Sequence, residues 1–74
     1  MNRTMVYVFK STAASSCEAT ILIQRLQQLY PQARINVDLH DCDNVLRVEA
    51  SEVDIALLTA TAAKVGVEIE ELEE

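Results

Sequence analysis

Apolar residues recur along this chain with two different periods, and the switches between them divide it into six segments. Met5 to Lys10 is rich in β-branched and aromatic residues, the composition of a strand apolar on both faces. Ser15, with Glu18 three residues on, forms the S-x-x-E signature of a helix start. Leu22, Leu26, Leu29 and Tyr30 then recur at helical spacing until Pro31, whose ring disfavours a helical conformation in the residue before it. The first helix is therefore predicted from Ser16 to Leu29. From Ala33 to Asp41, Ile35, Val37 and Leu39 alternate with Asn36, Asp38 and His40, the pattern of a half-buried strand. Asp41 to Asn44 supplies turn residues, and Val45 to Ala50 returns with Leu46 and Val48 inward and Arg47 and Glu49 outward. Ser51 opens a second capping box closed by Asp54. The helix it starts continues through Leu57, Leu58 and several alanines to Gly66, which suits a left-handed C-terminal cap. Val67 and Ile69 then alternate with Glu68 and Glu70 in a last strand.

The resulting order, βαββαβ, occupies all 74 residues as a single domain, 1–74, and reads as an α+β, ferredoxin-like sandwich. Its four-stranded antiparallel sheet takes the order 4-1-3-2, with two helices on one face. A chain of this size buries only about 60% of the surface its unfolded form exposes, so a partner adds usefully to its stability. The topology gathers three connections at one end: the loop before helix 1, the turn between strands 2 and 3, and the loop after helix 2. Strand 3 pairs with strand 1, so the turn carrying Cys42 is expected beside the loop carrying Cys17. His40, Asp41, Asp43 and Lys64 are expected nearby.

Helices on one face leave the other face of the sheet open, yet strand 1 is apolar on both. Helix 2 offers small residues at Ala60, Ala62 and Ala63, so the bulkier set, Met5, Tyr7 and Phe9, is assigned to the core at normal packing density. Val6 and Val8 then lie outside with Val45 and Leu72, edged by Arg47, Glu68, Glu70, Asp38 and His40. An apolar centre with a charged rim is the composition of a contact surface, which implies a face-to-face homodimer or a docking surface for another protein. A few exposed valines on a small sheet are also ordinary. Pairing through the open edges of strand 2 or strand 4 is a further route, less inviting at strand 4 because of its glutamates.

Composition narrows the function classes. Half the residues are apolar, but no run approaches the roughly 20 needed to span a bilayer, and the opening MNRTMVYVFK lacks the apolar stretch of a signal peptide. A cytoplasmic protein without membrane contact is expected, its two cysteines reduced. Twelve acidic against six basic residues give a net charge of −6, which repels phosphate backbones and argues against nucleic acid as a partner. One histidine and one glycine leave no placeable Ser-His-Asp set and no phosphate loop, so no catalytic residues are assigned and no enzyme is expected. The carboxylates from Glu68 to Glu74 read as a solvated end.

The stretch Ser11-Thr12-Ala13-Ala14-Ser15-Ser16-Cys17, set between a strand and a helix, resembles the G-M-x-C-x-x-C motif of heavy-metal-associated domains, the copper-chaperone family, which shares this length and order of elements. Cys17 falls in the place of the second cysteine and Ala14 in that of the first. Helix periodicity aligns the motif one residue later, with Glu18 and Ser15 in those places. Neither register restores the pair of thiolates that holds Cu(I). The resemblance therefore implies a binding or assembly module with a degenerate metal loop and no cofactor. The alternative is a soft-metal carrier for Cu(I) or Zn, using Cys17 with Cys42 or His40. His40 and Cys42 lie two apart on one strand end, and three ligands need a fourth from water, an aspartate or a second subunit to complete zinc coordination. Cys17 could also act alone, its thiolate favoured by the helix start and disfavoured by Glu18. Cys42, between Asp41 and Asp43, reads as a turn residue.

Overall fold

Alternating apolar positions form strands and the capped, leucine-spaced stretches form helices in the computed structural model, which describes residues 4–40 and 42–72. The elements are β1 (Met5–Ser11), α1 (Ser16–Leu29), β2 (Arg34–Asp38), β3 (Val45–Ala50), α2 (Ile55–Lys64) and β4 (Ile69–Glu71). All the strand pairs are antiparallel, and the sheet order is β2-β3-β1-β4. Counted from the opposite edge of the sheet, the same neighbours read 4-1-3-2.

Phe9 and Leu46 face one another across β1 and β3, Tyr7 faces Val48, and Ile35 and Val37 of β2 extend these two rows. Leu22 and Leu26 of α1 and Leu58 and Ala62 of α2 join Phe9, Leu46 and Val48 in one buried cluster. Both helices therefore cover the same face of the sheet. Ala13, Val67 and Ile69 close the cluster at the loop end.

Local chemistry explains the element ends. The Ser15 hydroxyl accepts from the Glu18 amide at 3.3 Å, as the capping box requires. The Glu18 carboxylate reaches back one residue further than the standard box, taking the Ala14 amide at 2.6 Å. At the other end of α1, the Gln27 side-chain amide donates to the carbonyls of Tyr30, Pro31 and Ala33 and so fastens the turn into β2.

Three expectations are corrected. The cap of α2 is Asp54, whose carboxylate accepts from the Leu57 amide at 3.2 Å, and Ser51 stands outside the helix. The residue before the cap, Val53, packs against the core, as does Leu58 four residues into the helix, and this hydrophobic staple favours a start at Asp54. Strand β2 ends at Asp38, because the Asp38 carboxylate captures the His40 amide at 2.9 Å and turns the chain. His40 therefore belongs to the turn, while Asp41 lies outside the described residues. Met5 shares the helix-facing side of β1 but is 53% exposed, because it pairs with Ala50 at the last position of β3, where the layer runs out. Gly66 has φ +81°, the left-handed cap its position suggests.

Candidate functional site

The three connections do meet at one end, and a dipeptide at the end of β1 ties them together. The Ser11 amide donates to the Asp43 carbonyl at 3.0 Å and its hydroxyl to the Asn44 carbonyl at 2.6 Å. On the other flank, the Thr12 amide donates to the Glu68 carbonyl, and the Thr12 hydroxyl accepts from the Glu68 amide at 2.9 Å. Asn44 reaches the turn's geometry with φ +47°, a conformation asparagine tolerates better than most residues. Nothing in the sequence signals these bonds, since the partners lie 33 and 56 residues apart.

The cysteines at this end are both free and exposed, but they occupy different surfaces. Cys17 sits in the first turn of α1 beside Ser16, Thr20 and Ile21. Cys42 lines a groove with Lys10, Thr12, Thr59, Ala63 and Glu68. His40 points its backbone amide at Asp38 and is exposed. Among the described residues, no three histidine, cysteine, aspartate or glutamate side chains come together as a metal-binding group, so Cys17, Cys42 and His40 are not gathered into one site. The same-face argument for His40 and Cys42 fails because both lie in the turn rather than on a strand. Lys64, the last residue of α2, lines the groove between the helices with Arg25, Gln28 and Leu29 and not the groove of Cys42.

The open face of the sheet is better defined. Register places Arg34, Glu49 and Val6 in one row, Asn36, Arg47 and Val8 in the next, and Asp38 and Val45 in a third, where Lys10 pairs with Glu70. Leu72 extends the middle row, its amide donating to the Val8 carbonyl at 2.8 Å. Val6 is 53% exposed; Val8, Val45 and Leu72 are half-buried. Arg47 is exposed beside Val8, and Lys10 and Glu70 form an ion pair at 3.4 Å. The expected contact residues Val6, Val8, Val45 and Arg47 thus share one surface. Glu68 and His40, also expected at its rim, instead belong to the connecting loops. Arg34, Asn36, Glu49 and Lys10 complete the face; the two-residue strand period, applied to every strand, reveals them.

Among the described residues, no helix is long and apolar enough to cross a membrane. No protein-family model matches the chain, and no curated protein matches it either.

Proposed function

We propose that this chain is a small non-enzymatic assembly module, a ferredoxin-like domain similar in its order of elements to heavy-metal-associated domains, acting through protein contact at the open sheet face. The observation that carries this reading is the charge balance of that face. Lys10, Arg34 and Arg47 stand against Asp38, Glu49 and Glu70 around Val6, Val8, Val45 and Leu72, although acids outnumber bases two to one in the whole chain. Among the described residues of the face, three cations stand against three anions. An uncovered apolar centre with a neutral, two-signed rim is satisfied by a second copy of itself across a two-fold axis, where each charge can meet its opposite. The occupant is thus a second copy, in a face-to-face pair.

A soft-metal role has less support. Beyond the separation of Cys17, Cys42 and His40, the helix start uses Ser15 and Glu18, the residues under the two cysteines of the metal motif in one register. Two exposed free thiols suit a reducing compartment such as the cytoplasm. The test is Val8→Glu, followed by sedimentation velocity and native mass spectrometry with circular dichroism as the folding control. Placing a carboxylate at the centre of the face is expected to halve the mass of the assembly. An unchanged mass rejects the face as the contact.

A further inference from the structure

The sheet has two open edges, and they differ in kind. The edge at β4 is three residues long and carries Glu70 and Glu71, so a copy approaching it meets like charge. The edge at β2 is Arg-Ile-Asn-Val-Asp, Arg34 to Asp38, with opposite charges at its two ends and equal spacing about Asn36. It contains no proline or lysine, two of the common devices that protect an edge.

We propose that β2 pairs antiparallel with β2 of a second copy, about a two-fold axis at Asn36. In that register Arg34 lies opposite Asp38 of the other copy, twice, Ile35 lies opposite Val37, twice, and the two Asn36 residues face each other. The charged pairs sit on the open face and the apolar pairs on the helix-covered side, which is where Arg34, Asp38, Ile35 and Val37 already lie within one copy. A shift of two residues loses both charged pairs. A shift of one turns the apolar residues to the wrong face. Neither Arg34 nor Asp38 is in an ion pair among the described residues. The Asp38 carboxylate accepts from the His40 amide at one oxygen, and among the described residues the other has no hydrogen-bond donor to compete with an incoming guanidinium. An axis perpendicular to the sheet keeps both helix layers on one side, so the product is a continuous eight-stranded sheet whose open faces lie side by side. This contact uses the edge and does not depend on the face-to-face contact.

The test is therefore run in the Val8→Glu background, where the face contact is removed and only the edge can hold two copies together. Sedimentation equilibrium is expected to show a dimer there. Arg34→Asp and Asp38→Arg each create two like-charge pairs by symmetry and are expected to weaken that dimer roughly tenfold, and the double exchange to restore it. A second measurement reads register without affinity: with Cys17 and Cys42 replaced by serine, Asn36→Cys is expected to form an intermolecular disulfide under mild oxidation, because directly opposed strand residues lie about 4.5–5.5 Å apart at Cα. Arg34→Cys places its two thiols about 13 Å apart along the strands and is expected not to cross-link. A monomer in the Val8→Glu background, a double exchange that fails to restore pairing, or equal cross-linking at positions 34 and 36 overturns the proposal.

Discussion

Replacing Asp54 with alanine removes the one side-chain acceptor at the start of α2, leaving the Leu57 amide without its partner at 3.2 Å. The substitution leaves intact the bond from the Asp54 backbone amide to the Tyr30 hydroxyl at 2.9 Å, which ties the start of α2 to the end of α1, so its effect reports on the cap alone. Loss of an N-cap acid costs about 1 kcal/mol. For a domain of this size, that lowers Tm by about 4–8 °C. Ser51, three residues earlier and outside the helix, predicts a change within about 0.5 kcal/mol when replaced by alanine. Asp54→Asn keeps an acceptor oxygen and is expected to fall between wild type and Asp54→Ala. Thermal unfolding of the four proteins is followed by far-ultraviolet circular dichroism at one concentration, because association makes Tm concentration-dependent. A loss from Ser51→Ala as large as that from Asp54→Ala would refute the assignment of the helix start.

Gly66→Ala is expected to cost about 1–2 kcal/mol in urea unfolding through backbone conformation alone, since φ is +81° and an added Cβ meets nothing within 4 Å. Gly66→Asn should recover part of that loss; full tolerance of alanine would contradict the left-handed cap. Both Cys17 and Cys42 are exposed, so the native reduced protein is expected to react with two equivalents of a thiol reagent before any unfolding, and Cys17→Ser with one. A second thiol that reacts only in denaturant would contradict the exposed placement.

The helix boundaries show where sequence reasoning succeeds and where it stops. The span of α1 was legible because Ser15, Glu18 and Pro31 bracket a clean leucine period, and each acts within a few residues of itself. The start of α2 was not, because Ser51 and Asp54 are both good caps and the local pattern cannot choose between them. The choice is made by Val53, whose packing against the core is a tertiary fact. Similarly, the alternation through Leu39 and His40 continues the strand pattern, and only the Asp38 carboxylate turning on the His40 amide ends it. The valine centre of the open face followed from strand period and topology together. Its charge balance required the register of all four strands, and the symmetry of Arg34 to Asp38 acquires meaning only once β2 is known to be an edge.

Ser11 and Thr12 hold the loop end through bonds to backbone atoms of Asp43, Asn44 and Glu68, so these bonds do not depend on the side chains those three partners carry. Ala14, Cys17 and Cys42 are all exposed there and take no part in the bracing. The loop end is for that reason a frame with replaceable panels. An engineer could install a new ligand set or peptide epitope at those three positions while the dipeptide at the end of the central strand keeps the frame square.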